Sequence, residues 1–206
     1  MTIRQQMARP AEPEKRQELA RDAVAVLARL GMSTPMTRLA DELGIKRPTL
    51  HYHFPSRAHI VETALEELLT DQAVYVMERV NQHTHPIDRL FAQICAVHTF
   101  HHGREDRIVF LSQAIAASGE RMQEIIDVGN RVFEANRRAA VELLKQGICE
   151  GTVVDCDAES LVNVIRALTD GLMVQRMMTD VDLTPVHEFL WTHLLGPLKR
   201  CPEKQA

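Results

Sequence analysis

Between Thr34 and Ile60 the chain reads TPMTRLADELGIKRPTLHYHFPSRAHI, and the polar residues of this stretch are spaced for a chemical task. Lys46, Arg47, Thr49, His51 and His53 are the residues expected to stay exposed on a short segment in which Leu50 turns inward. Arginine can donate two parallel hydrogen bonds to guanine O6 and N7, and threonine can meet a phosphate oxygen or a thymine methyl. Lys46 and Arg47 stand where Ser or Asp would stabilise a helix start, which is better explained by an anionic partner than by helix stability. The chemistry indicated is non-covalent: phosphate contacts that position a duplex and base contacts that read it.

Such residues need a rigid mount, and the neighbouring sequence supplies one. Apolar residues recur at three- and four-residue spacing almost throughout, with no sustained alternation, so the chain reads as all-α. A first helix runs from about Glu14 to Leu30 with Leu19, Ala23, Val26 and Leu27 on one face, and stops at Gly31. Thr34 is placed to cap a second helix and Pro35 to occupy its first position. Leu39, Ala40 and Leu43 turn inward, Gly44 supplies a permissive turn, and a third short helix extends from Pro48 to His53. Helix, glycine turn and second short helix is the helix-turn-helix pattern, whose second helix is sized for the major groove. After Phe54-Pro55, Ser56 can cap a long fourth helix reaching about Gln82.

Leu39-Ala40, Leu43-Gly44-Ile45, Pro48-Thr49-Leu50-His51-Tyr52-His53-Phe54 and Ser56-Arg57 resemble, without a gap, the tetracycline-repressor signature LA-x-x-LGV-x-x-x-TLY-x-HF-x-x-K. The resemblance is at motif level over about residues 15–60 and architectural beyond. It implies that Thr37 and Arg38 touch backbone or base, that Arg47, Pro48 and Thr49 read bases, that Tyr52 and His53 meet the backbone, and that Arg57 anchors to a phosphate. Two positions depart from the pattern. His51 replaces the usual Tyr, which makes a phosphate contact sensitive to pH, and Arg57 replaces Lys, which keeps the charge and alters the geometry.

Charge is partitioned to match. Residues 1–60 hold 10 Lys/Arg against 6 Asp/Glu, whereas residues 61–206 hold 14 against 22, so a basic head precedes an acidic body within a chain of formal net charge −4. The division expected is a DNA-binding domain over 1–56, with 1–13 a disordered arm, and a helical ligand-binding and dimerisation domain over 57–206. No Walker loop, dinucleotide fingerprint, nucleophile elbow or HExxH motif occurs, so neither catalysis nor a cofactor is expected. A polar N-terminus and the lack of a long apolar run point to a cytoplasmic protein without a membrane partner. Cys95, Cys149, Cys156 and Cys201, lacking a close pair, read as inert thiols, with a redox switch across Cys149 and Cys156 as the minor alternative.

In the body, helices are expected near 87–102, 105–117, 119–149, 158–179 and 185–198. The resemblance implies a homodimer built on the last two, and Leu161, Val164, Leu168 and Leu172, with Leu190, Trp191 and Leu194, offer the apolar surface. It also implies an effector pocket among the middle helices. Phe91, Cys95, His98 and His102 lie along one stripe, Met122, Ile126 and Phe133 along another, and Met173 and Met177 on a third, adaptable apolar walls with two imidazoles for directional bonds. Two histidines one turn apart, His98 and His102, with His101 and nearby Glu105 or Asp106, also raise a metal-responsive reading, although no third ligand is defined and no metal is assigned. The expected function is a repressor released from a palindromic operator by a small-molecule effector. The alternatives are a metal- or redox-responsive regulator and a ligand-free architectural DNA-binding protein.

Overall fold

The computed structural model describes residues 13–117, 119 and 122–200, the side chain of Met122 excepted. Among the described residues nine α-helices follow one another, and the breaks fall at the glycines and prolines that punctuate the sequence. In order they are α1 (Pro13–Leu30), α2 (Met36–Glu42), α3 (Arg47–His53), α4 (Arg57–Val80), α5 (Pro86–His101), α6 (Glu105–Ala116), α7 (Met122–Cys149), α8 (Ala158–Thr179) and α9 (Thr184–Phe189). The arm expected over 1–13 lies, apart from Pro13, outside the described residues, as does Cys201; Cys95, Cys149 and Cys156 are free thiols.

Two expected helix caps are absent. Thr34 spends its hydroxyl on the Gly31 carbonyl at 2.7 Å, and Pro35, not Thr34, occupies the cap of α2. Ser56 precedes α4 without capping it, because its hydroxyl pairs with His59 Nδ1 at 2.8 Å. The chain end departs further from the expected 185–198 helix: α9 passes into a π-helix over Leu190–Leu195 and a short 3₁₀ turn. Gly196 makes this possible, since a Cβ there would stand 2.7 Å from the Trp191 carbonyl oxygen to which its own N–H bonds.

Three apolar clusters hold the helices together. The first joins Leu19, Ala23 and Leu27 of α1 to Leu39, Leu50, Phe54 and the first half of α4, and it takes in Phe110 from α6 and Val128 from α7. A second gathers Ile87, Leu90 and Ile94 of α5 with Leu144, Ile165, Leu190 and Leu195. The third sets Val76 and Val80 of α4 against Val97, Ile108 and Met173. The expected boundary at residue 56 therefore falls where α4 begins, but α4 serves both sides: Ile60 to Leu68 belong to the head's core and Val76 to Val80 to the body's.

Candidate nucleic-acid interface and body cavities

Gly44 turns between α2 and α3 with φ of 68°, a left-handed conformation that disfavours any side chain with a Cβ. Buried Leu39, Ala40 and Leu50 then lock the two short helices together. That packing leaves Thr37, Arg38, Lys46, Arg47, Pro48, Thr49, His51, Tyr52 and Arg57 exposed. Lys46 caps α3 without a side-chain bond, as its residue type predicts. Among the described residues no carboxylate lies within ion-pair distance of Lys46, Arg47 or Arg57, whereas Arg38 stands 4.0 Å from Glu42, itself held by Arg29 at 2.5 Å. Arg47 Nε donates to His51 Nε2 at 3.4 Å, a contact that requires an unprotonated acceptor nitrogen. Arg57 donates to the Ser33 carbonyl at 2.9 Å, fixing the start of α4 to the turn before α2.

His53 departs from expectation. It is 8% exposed, edge-on to Tyr52 with ring centroids 5.2 Å apart, and its Nδ1 is buried without a partner. The cause is its place in the last turn of α3: with Leu50 buried one turn earlier, the residue three positions on shares the inward face.

In the body, α4, α5, α7 and α8 border a half-open cavity of about 130 Å³ lined by Val76, Met77, Val97 and Phe133 and by the polar Gln72, Gln93, Asn136, Arg137, Arg166 and Asp170. Of the expected pocket residues whose side chains are described, Phe133 alone lines it. The stripe expected to face it on α5 points elsewhere. Phe91 packs on Trp191 at 5.0 Å, Cys95 is half-buried with its thiol pushed up by burial, and His98 is buried against α8 and α9. Gln93 and Val97, on the opposite side of α5, are the residues that meet the cavity. Met173 is buried in the third cluster, Ile126 is 44% exposed, and Met122 lies outside the described side chains. Helix α5 is covered on more than one side, so an apolar stripe alone cannot say which side holds the ligand.

Histidines instead form a wall between helices. His98 stacks on His187, its Nδ1 2.7 Å from His187 Nε2, while its Nε2 donates to the Thr169 carbonyl at 2.8 Å. Burial, reinforced by the neighbouring His187 and Arg176 charges, holds its pKa down at about 4 against the raising effect of the Thr169 bond. His101, fully buried and bonded through Nε2 to Gln72 Oε1 at 2.8 Å, is held down to about 4 by burial and by Arg107. His102 is exposed in an open cleft that Met177 and Glu105 also line. With both nitrogens of His98 engaged, the metal reading loses its first ligand, and among the described residues no three His, Cys, Asp or Glu side chains are grouped to hold an ion.

The expected dimer residues divide in two. Leu161, Leu168, Leu172, Leu190 and Trp191 pack into the second cluster, and only Val164 and Leu194, 54% and 46% exposed, face outward. The exposed line on α8 lies one step around the helix: Val164, Ala167, Gly171, Val174 and Met178, spaced by three and four, with Phe189 of α9 also 57% exposed. Long leucines gave the stronger sequence signal and went to the core; the smaller residues beside them form the open face.

Residues 20–64 match the family model described as "Bacterial regulatory proteins, tetR family". The chain is 24% identical over 164 residues, covering 78% of each, to the HTH-type transcriptional repressor KstR2 of Mycolicibacterium smegmatis. The ketosteroid transcriptional regulator KstR2 of Mycobacterium tuberculosis superposes with a TM-score of 0.65 at 23% identity, over 93% of this chain and 98% of that one. The regulator FadR of Bacillus subtilis, solved with stearoyl-CoA, gives 0.69 at 18% identity over 85% and 97%. A motif read from Leu39 to Arg57, a glycine-turned pair of short helices presenting cations without acidic partners among the described residues, and these likenesses agree: residues 20–64 form a DNA-binding domain of the TetR type, in a chain that resembles TetR-family transcriptional regulators along most of its length.

Proposed function

We propose that the protein is a homodimeric repressor that binds a palindromic operator through α3 and leaves it when a small-molecule effector occupies the cavity between α4, α5, α7 and α8. The observation that carries the DNA half is the edge formed by Lys46, Arg47 and Thr49: exposed, uncapped and without an acidic partner among the described residues. Two such edges held at fixed separation turn modest single-site affinity into tight binding, and the exposed line on α8 supplies the surface for a second copy. The effector half is supported by the half-open cavity between these helices and by the stearoyl-CoA bound to the structurally similar FadR.

Binding of the full-length protein to its own upstream intergenic DNA, followed by fluorescence anisotropy at two salt concentrations, tests this directly. Tight, salt-sensitive binding is expected. Arg47→Ala is expected to cost about 1–3 kcal/mol and to relax selectivity, as loss of a base contact does. Arg57→Ala should weaken all sequences more evenly. A folded dimer that binds neither this DNA nor any fragment selected from the genome would overturn the reading.

A further inference from the structure

Near the C-terminal end of α8, Arg176 is half-buried with its charge unmatched. Its Nη1 donates to the His98 carbonyl at 3.1 Å, while Nε and Nη2 are buried and have no hydrogen-bond partner in the chain. Nε and Nη2 share the edge of the guanidinium that meets a carboxylate side-on, the edge by which Arg21 holds Asp71 and Arg137 holds Glu134. Among the described residues no carboxylate fills that fork on Arg176. Its neighbours are imidazoles instead: burial first, and the Arg176 charge with it, lower the pKa of His98, His101 and His187. A buried cation without a counter-ion costs stability, so the unfilled fork has no rationale in the fold itself.

Arg176 borders an open cleft of about 660 Å³ between the end of α5, the end of α8 and the start of α9. The cleft shares no lining residue with the effector cavity; they adjoin where His98 of the cleft donates to the carbonyl of Thr169, which lines the cavity. Met177 and Val181 give the cleft an apolar wall. Its carboxylates serve the local backbone, Glu105 accepting from the Gly103 N–H at 3.1 Å and Asp182 from the Thr184 N–H at 2.9 Å. Asp180 ends α8 in a left-handed conformation, with φ of 51°.

We propose that the Arg176 fork binds the carboxylate of a small organic monoanion seated in this cleft, with the apolar part of the ligand against Met177 and Val181. The side-on edge selects a group with two coplanar oxygens, which an amide or alcohol does not offer. One guanidinium facing Glu105, Asp180 and Asp182 on the rim favours a single negative charge over the two of a phosphate monoester. The fork is covered from solvent while the side chain borders the cleft, so the ligand is met by rotation of the flexible arginine stem, whose guanidinium is held by one hydrogen bond. The site stands apart from the effector cavity and gives the body a second input, at the junction of α5, α8 and α9.

Calorimetric titration of the full-length protein in carboxylate-free buffer with benzoate, hexanoate, benzamide and phenyl phosphate tests the assignment. Benzoate or hexanoate is expected to bind with a Kd on the order of 1 mM or tighter, and benzamide and phenyl phosphate at least ten-fold more weakly. The imidazole NMR signals of His102 and His187, which line the cleft, should move with benzoate while that of His59 in the head stays. Arg176→Met should abolish binding and, by removing an unpaired buried charge, leave Tm without ligand equal to wild type or up to about 5 °C higher. Arg176→Lys, which keeps the charge and loses the fork, should weaken benzoate roughly five- to ten-fold. Benzoate binding undiminished in Arg176→Met, binding that moves neither histidine signal, or no binding of either carboxylate at 10 mM, roughly ten times the expected Kd, would overturn the proposal. So would a Tm lowered by several degrees in both Arg176→Met and Asp180→Asn, because the fork would then be filled from within the chain.

Discussion

His98 and His101 show how much one buried imidazole can impose. His98 is bonded to His187 and to Thr169 of α8, and His101 to Gln72 of α4, each with its pKa lowered to about 4, chiefly by burial. Because the unfolded chain binds these protons near pH 6.5 and the folded one does not, the stability due to neutral burial is complete above pH 6.5 and lost as the pH falls from there toward 4. The midpoint of thermal unfolding is therefore expected to fall steeply between pH 6.5 and 4.5. The double variant His98→Gln, His101→Gln should flatten that slope, at a cost of about 1–3 kcal/mol per site at pH 7.5 where a hydrogen bond is imperfectly replaced. A wild-type curve that stays level to pH 4.5 would show that these histidines protonate without strain. At this scale the motif was legible because it is a run of consecutive residues with fixed roles. His53 was misplaced because its polar type masks a position set by Leu50 three residues before it.

Element boundaries were read closely from glycine and proline, since both act through the local backbone and need no knowledge of neighbours. Orientation was harder. Helix α8 carries two apolar lines, and the one with the larger side chains was expected to face a partner; it fills the core, leaving Val164, Ala167, Gly171, Val174 and Met178 outside. Small residues along an exposed line permit close approach of a second helix, so the open face of α8 is where a charge should do most harm. Val174→Asp, 37% exposed in the monomer, is expected to shift the protein toward monomer at micromolar concentration without lowering helical content. Leu168→Ala, on the core side, should instead destabilise the fold by about 2–5 kcal/mol and leave the sedimentation of the folded fraction dimeric. Analytical ultracentrifugation with circular dichroism separates the two, and the assignment of faces fails if Val174→Asp sediments like wild type.

Across the whole molecule the head and the cavity are joined by helices that belong to both. Helix α4 spans the two cores, and α6 is tied at each end: Arg107 donates to the Phe100 carbonyl of α5 at 2.7 Å and lies over its ring, while Gln113 Nε2 donates to the Ala28 carbonyl of α1 at 3.2 Å. Phe110, fully buried between these ends, packs into the core of the head. A ligand that moves α5 therefore pulls α6, and α6 pulls α1 and the helix pair mounted on it. An effector shifts operator affinity only by its differential affinity for the two arrangements, commonly a factor of about 5–150. Gln113 is the place to cut this link cleanly. Its Oε1 is already buried without a partner, so Gln113→Met removes an unsatisfied oxygen together with the tie to Ala28 and should cost little stability. Operator affinity without effector, and effector affinity without DNA, are expected to stay within about two-fold of wild type while the ratio of operator affinities with and without effector shrinks several-fold. Both affinities and their coupling come from anisotropy titrations of one labelled operator across effector concentrations. A full wild-type ratio in Gln113→Met would assign the coupling to α4 and α7, the other helices that the clusters of head and body share.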